Sequence, residues 1–258
     1  MSALGNKVAL VTGSTSGIGR GIAEHFASLG ARVVVHGRRE AQAAEIAEAL
    51  RESGHDAAFV AADVADVDGC RRTVRFTIER YGGIDILVNN AALTTRGYLE
   101  DVPVDVWDRI MNVNLRAPFL CLQEAVRSMK TRGGGSIINI GSVNAYIGEP
   151  KLGPYSVSKG GLMTMTRNAA ATLNRYRIRV NQINVGWTLT EGEERVKREE
   201  EHDPDWLPKA IATRPFGRLL TPHDVAVVAE YFASDASEAV TGTVMDLEQY
   251  PVGAPPNW

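Results

Sequence analysis

Cysteine is nearly absent from this chain of 258 residues: there are two, Cys70 and Cys121. Both fall in stretches that read as helix, and neither has a second cysteine or a histidine at metal-ligand spacing, which argues against a disulfide framework and against a metal site. Buried free thiols suit a reducing compartment, so the cytoplasm is the expected address. No hydrophobic run approaches the ~20 residues that cross a bilayer. The first strand reads from Lys7, which leaves no room ahead of it for a charged, apolar and cleavable leader. Excess charge of one sign is missing too: 28 basic and 31 acidic residues, spread along the chain, give a formal −3. No basic face or arm points to nucleic acid or to an anionic membrane, and a small molecule is the expected partner. Internal repeats and low-complexity linkers are also lacking. With 44% hydrophobic residues, one domain over 1–258 is expected.

What is present is alternation. Short β-rich runs (KVALVT, ARVVVH, AAFVAA, IDILVNN, GSIINIGS, RIRVNQIN and TGTVMDLE) are separated by helical patterns over about Gly17–Leu29, Glu40–Glu52, Asp66–Tyr81, Pro103–Lys130 and Gly153–Arg175. The runs are apolar on successive residues, as in strands covered on both faces. Seven such strands joined by right-handed helical crossovers predict an α/β fold, a doubly wound parallel sheet with helices on both faces. One stretch breaks the rhythm. The charged segment at about 187–218, after the sixth strand, is where such a fold would carry a lid over its ligand crevice. A last helix is announced by Thr221-Pro222-His223-Asp224, a capping hydroxyl followed by a first-turn proline and an early acid.

The first strand runs into Thr12-Gly13-Ser14-Thr15-Ser16-Gly17-Ile18-Gly19, and a helix follows. Glycines let the backbone approach a pyrophosphate, whose charge is favoured by the free N–H groups and dipole at a helix start. At the end of the second strand, where an acid would hold a ribose 2′-hydroxyl, stands His36-Gly37-Arg38-Arg39. The missing carboxylate and the arginines Arg38 and Arg39 favour NADP(H), with NAD(H) as the rival.

Ser142 closes the fifth strand, and Tyr155-Ser156-Val157-Ser158-Lys159 opens the following helix, so Tyr155 and Lys159 share a face. Hydride transfer to or from an alcohol carbon needs a group that exchanges a proton with the oxygen. A phenol titrates near 10, and bringing it to about 7 takes roughly 4 kcal/mol of phenolate stabilisation. A nearby ammonium supplies attraction of that sign.

Together with the Gly-x-x-x-Gly-x-Gly loop, these residues make the chain resemble a classical short-chain dehydrogenase/reductase over nearly its whole length, with a Rossmann-like fold. The resemblance implies that Tyr155 is the general acid/base, that Lys159 lowers its pKa and holds the nicotinamide ribose, and that Ser142 binds the substrate oxygen. It makes Asn114, in MNVNL, the asparagine that kinks its helix and anchors a water in the proton relay. Asp63 and Val64 fall where relatives hold the adenine. Asn89-Asn90-Ala91-Ala92 matches the family's Asn-Asn-Ala-Gly up to the last position, placing Asn89 and Ala91 at the cofactor. An alanine at 92 is tolerable if the backbone keeps a negative φ. Val185 replaces the family's proline before Gly186, and Val185, Thr188 and Thr190 are expected at the nicotinamide. Asp246-Leu247-Glu248 stands where many relatives have Asp-Gly-Gly, which leaves the local turn open.

Substrate choice lies in the pocket walls. Asn144 and Trp187 are the expected substrate contacts beside Ser142 and Tyr155, and Tyr146, Glu149 and Glu191 are further candidates. Amides and carboxylates next to one tryptophan suit a sugar or polyol, with a 3-oxoacyl or small ketone substrate as the alternative. Relatives form tetramers through the helices that carry Asn114 and Tyr155, and apolar Phe119, Leu120, Leu162 and Met163 on those segments imply a homotetramer. The tail Tyr250–Trp258 is expected to pack across a subunit interface. A catalytically silent dinucleotide-binding regulator is the rival from another class. Enoyl reductases separate their Tyr and Lys by more residues than here, and extended-branch epimerases use a different glycine spacing.

Overall fold

The computed structural model describes residues 3–146, 148–201 and 204–253. Seven strands, β1 (Val8–Val11), β2 (Arg32–Gly37), β3 (Ala57–Ala61), β4 (Ile86–Asn89), β5 (Gly135–Ser142), β6 (Ile178–Val185) and β7 (Val244–Leu247), form one sheet in the order β3-β2-β1-β4-β5-β6-β7. Every neighbouring pair is parallel. The order reverses between β1 and β4, and it is there, beyond the carboxyl ends of the strands, that such a sheet opens a ligand crevice.

The apolar runs work as a period of two. Ala9, Val11, Val33 and Val35 bury one face against α1 (Gly17–Ser28), α2 (Glu40–Glu52) and α9 (Pro222–Ala233), whose Ile22, Phe26, Ile46 and Phe232 complete that core. Leu10, Val34 and Leu87 bury the other face against α3 (Val67–Tyr81), α5 (Ala117–Arg132) and α6 (Gly153–Leu173). Cys70 and Cys121, far apart in sequence, meet in the packing of α3 against α5. Cys70 Sγ donates to Val64 O at 3.1 Å, and the Cys121 thiol is pushed well up by its bond with Cys70 and by burial, so it stays protonated.

The segment expected as one helix over Pro103–Lys130 is three pieces: α4 (Val104–Met111), a π-helical turn Asn112–Arg116, and α5. The widened turn sits where the kink at Asn114 was expected. The Thr221 cap is a full capping box, Thr221 accepting from the Asp224 N–H and Asp224 from the Thr221 N–H.

Polar side chains cross the sheet interior. Asn89 donates to Asn139 (2.8 Å), Asn139 to Thr166 (2.8 Å), Thr166 to Gln182 (3.0 Å), Gln182 to Asn184 (2.7 Å) and Asn184 to Asp246 (2.9 Å), which also accepts from Tyr146 at 3.2 Å. Gly141 makes room for them, since a Cβ there would lie 2.2 Å from Asn184 Oδ1.

The segment after β6 carries α7 (Glu191–Val196), a π-helical stretch Lys197–Glu201 and α8 (Trp206–Ala212). It has its own small core of Trp206, Ala210 and Leu219 against Trp187, Leu189 and Leu207, with the two indoles stacked at 6.2 Å. None of the described helices is long and apolar enough to cross a membrane. Of the tail, Ala254–Trp258 lie outside the described residues.

Candidate active site

Two clefts at the carboxyl ends of the strands share Ile18, Asn90, Ala92 and Thr190 and so make one continuous groove. At one end the β1–α1 loop forms the floor. Gly13 takes φ +66°, and a side chain there would also press within 2.9 Å of Ala91 Cα. Gly19 brings α1 against the loop so closely that a Cβ would meet Gly13 O at 2.3 Å. Gly13, Thr15, Ser16, Gly17, Ile18 and Gly19 line this end. Ser14 does not: it is buried beneath the loop, its hydroxyl donating to Val11 O and accepting the His36 N–H.

Arg38, Asp63, Val64, Ala91 and Thr190 line the same end, whereas Arg39 is turned to Gln42, to which its Nε and Nη2 donate at 3.1 and 2.7 Å. Burial pushes the Asp63 carboxyl up, but the Ala65 N–H and Arg109 outweigh it and hold the group below the usual range. Ala92 keeps a negative φ, as an alanine in place of glycine requires. Asn89 lies under the groove in the polar chain across the sheet.

At the other end, Ser142 terminates β5 and Pro154 at the first turn of α6 fixes where that helix begins, so Tyr155 faces Ser142 and Lys159 follows one turn later. All three are nearly closed to solvent, and the Ser142 hydroxyl, which accepts the Asn144 N–H at 3.2 Å, interacts with the Tyr155 phenol. The Lys159 ammonium donates to Ile140 O at 2.7 Å and stands 5.6 Å from the Tyr155 ring centre. Burial raises the Tyr155 pKa, and the Ser142 bond offsets only part of that. Burial likewise lowers Lys159 to about 8. The lowering of Tyr155 by Lys159 expected from sequence is therefore not expressed in this geometry: the ammonium is directed at a carbonyl, and both groups lose hydration.

Asn114 is fully buried. Its Oδ1 accepts from Leu93 N (2.8 Å), and its Nδ2 donates to Leu93 O (2.9 Å) and Ser158 Oγ (3.1 Å). It thus ties the loop after β4 to the helix that carries Tyr155. Val185 and Thr188 line the catalytic end, with the Thr188 hydroxyl donating to Gly186 O at 3.1 Å.

Of the wall residues expected from sequence, Asn144, Glu149 and Trp187 line the groove. Tyr146 is directed to Asp246, and Glu191 is exposed at the start of α7. Sequence reasoning missed Arg96, Glu193, Lys197, Arg214 and Glu248, which line the same wall. Trp187 Nε1 donates to Glu193 at 2.9 Å, and Arg96 stands 3.8 Å from that carboxylate. Glu248 settles the turn left open after β7: its carboxylate accepts from Gln249 N (2.6 Å) and Trp187 N (3.4 Å), over Gly186, where a Cβ would lie 2.2 Å from Glu248 Oε2. Also missed was His36, whose Nδ1 accepts the Gly13 N–H at 3.0 Å and whose pKa burial lowers to about 4, so the ring is neutral and braces the glycine loop.

The groove joins a backbone cradle at a helix start to a hydroxyl pair and an amine beside a polar wall, the parts needed to hold a dinucleotide at one end and exchange a proton at the other. Residues 13–248 match a family model described as enoyl-(acyl carrier protein) reductase. The chain is 42% identical to an uncharacterized oxidoreductase of Thermotoga maritima, covering 93% of each chain. It is 35% identical to an NADP-dependent (R)-specific alcohol dehydrogenase of Lentilactobacillus kefiri over 93% of this chain and 94% of that one. A solved gluconate 5-dehydrogenase of Burkholderia cenocepacia, in complex with NADP and tartrate, superposes with a TM-score of 0.87 at 34% identity, covering 95% of each chain. With the groove, the hydroxyl pair and these relatives in agreement, the chain belongs to the classical short-chain dehydrogenase/reductase family and is an NAD(P)-dependent oxidoreductase.

Proposed function

We propose that the chain interconverts a secondary alcohol and its carbonyl on a polyhydroxylated small molecule, a sugar or polyol derivative, with NADP(H). The observation that carries this is the convergence of Ser142, Tyr155 and Lys159 on one groove end whose remaining wall is charged and amide-rich. When bound, the nicotinamide supplies the hydride acceptor or donor and, oxidised, a positive charge near the phenol. Tyr155 exchanges the proton with the substrate oxygen, and Ser142 hydrogen-bonds that oxygen and orients the phenol. Lys159 holds the nicotinamide ribose, while Asn114 positions the loop and helix around it. The cradle from Gly13 to Gly19 takes the pyrophosphate, Asp63 and Val64 flank the adenine, and Val185, Thr188 and Thr190 meet the carboxamide. Residues 187–218 act as the lid of what we take to be a single domain.

NADP(H) is supported by Arg38, which lines the groove just after β2, a strand whose end carries no carboxylate of its own. Arg39 is held by Gln42 and is not among the residues that line this cleft. A fluorescence titration with NADPH and NADH is expected to show tighter NADPH binding. The preference falls at least about tenfold in Arg38→Ala, as loss of a charge-assisted bond implies. Turnover of polyols falls to background in Tyr155→Phe with cofactor binding kept. Tighter NADH binding overturns the cofactor choice alone, and binding without any turnover favours the silent regulator. The description of the matching family model gives a second reading, reduction of an enoyl thioester. Tyr155-dependent loss of a 2-enoyl thioester in the presence of NADPH would establish it.

A further inference from the structure

Arg214 is the side chain in the groove wall whose surroundings leave a binding capacity unused. It follows α8, lines the catalytic end with Ser142 and Tyr155, and its side chain is only 16% exposed. Its guanidinium lies 5.5 Å from the Trp187 ring centre and 5.2 Å from that of Tyr250. Of its five N–H donors, Nε reaches Thr213 Oγ1 at 3.2 Å, and the Nη groups make no hydrogen bond among the described residues. The carboxylate paired with it, Glu248, stands 3.7 Å from Nη1, beyond hydrogen-bond reach, and is itself occupied by two backbone N–H groups. A mostly buried guanidinium normally has its donors filled, and a planar fork matches a carboxylate.

We propose that Arg214 anchors a carboxylate of the substrate, so that the alcohol oxidised at Tyr155 belongs to a hydroxy acid. This rests on the alcohol-dehydrogenase reading above. A carboxylate and a phosphate both fit a bidentate fork, and the carboxylate is taken because Glu248, 3.7 Å from the same guanidinium, opposes a second negative charge there. In the reaction the carbinol C–H bond breaks and its hydride leaves for the oxidised nicotinamide. The hydroxyl proton passes to the Tyr155 phenolate, a C=O bond forms, and a hydroxy acid becomes a keto acid. The carboxylate stays bound throughout, so its contribution is to uniform binding of ground and transition states, which appears in KM and not in kcat.

The test compares aldonates with alditols of the same length and configuration, in the wild type, Arg214→Met and Arg214→Lys, with thermal melts confirming the fold. Methionine keeps an unbranched stem of similar length and removes the fork. In the wild type the aldonate has the lower KM. Arg214→Met raises that KM about 30-fold, the weight of a charge-assisted pair, leaves kcat within about threefold and raises the alditol KM at least about tenfold less than the aldonate KM, while lysine recovers part of the loss. Equal KM values for acid and alditol in the wild type, or an equal loss for both in Arg214→Met, overturns the assignment. Tighter binding of the matching sugar phosphate overturns the choice of carboxylate. Calorimetric binding of the aldonate to Tyr155→Phe with cofactor, with and without Arg214→Met, reads the anchor even if no compound is turned over. Turnover failure with Arg214-dependent binding sinks the reaction reading and keeps the anchor, whereas binding indifferent to Arg214 sinks the anchor.

Discussion

At the scale of single residues, the site's chemistry is set by how little water reaches it. Lys159 at about 8 carries an ammonium that burial disfavours. Its pKa is lower folded than unfolded, so the unfolded chain binds more protons between pH 8 and the ordinary lysine value near 10.4. The penalty is full below pH 8 and vanishes above about 10.4, so wild-type stability should climb across that window. Lys159→Met is therefore expected to be more stable than wild type by about 2 kcal/mol at pH 7, after about 1 kcal/mol is lost at Ile140 O, and to lose that advantage by pH 10.5. Denaturant melts across pH check this, and a pH-independent difference would contradict it. The triad itself was legible, because strand end, helix start and a spacing of four are all written in order along the chain. Arg214 and Glu248 were not, since each gains its meaning from a partner brought by tertiary packing, and a lone Arg or Glu in a charged stretch reads as a solvated face.

At the scale of elements, all seven strands and the long helices were readable from periodicity and from the turn residues between them. The split of the Asn114 helix was only half readable: the kink was expected, but its form as a π-helical turn follows from the Asn114 amide reaching Leu93 and Ser158 across space. The segment proposed as a lid was visible only as broken rhythm. Its small core rests on Trp206 stacked on Trp187, and its far end is stitched down by Gln249, which bonds Phe216 N and Arg218 O. Removing the indole should therefore act locally. Trp206→Ala is expected to cost about 3 kcal/mol of lid stability, speed amide exchange across residues 187–212 with the sheet unaffected, and raise substrate KM about tenfold. Uniform acceleration throughout the chain would mean that the lid does not open as a separate unit.

At the scale of the whole molecule, the sequence offered four apolar residues for assembly, and the structure sorts them. Leu162 is buried in its own protomer, Leu120 packs on the core, and Met163 is half-buried, whereas Phe119 on α5 and Val157 on α6 stand 47% and 54% exposed. We propose a homotetramer built on the α5 and α6 faces. Sedimentation is expected to show it, and Phe119→Asp to yield smaller species with the fold intact, since a charge in a buried apolar contact is left without a partner. Unchanged sedimentation of the variant would exclude that face.

The row of amides from Asn89 to Asp246 bears on how the sheet finds its alignment. Asn89, Asn139 and Gln182 are direct neighbours across β4, β5 and β6, as are Asn184 and Asp246 across β6 and β7. Purely apolar parallel strands could slide by two residues and still bury oil against oil, but sliding any of these would strand several amides in a dry layer at about 1–3 kcal/mol each. The row ends at Tyr146, two positions from Asn144 in the groove wall. A chain that refolds with its strands misaligned therefore also misplaces that wall, and the activity recovered after refolding counts the correctly aligned molecules.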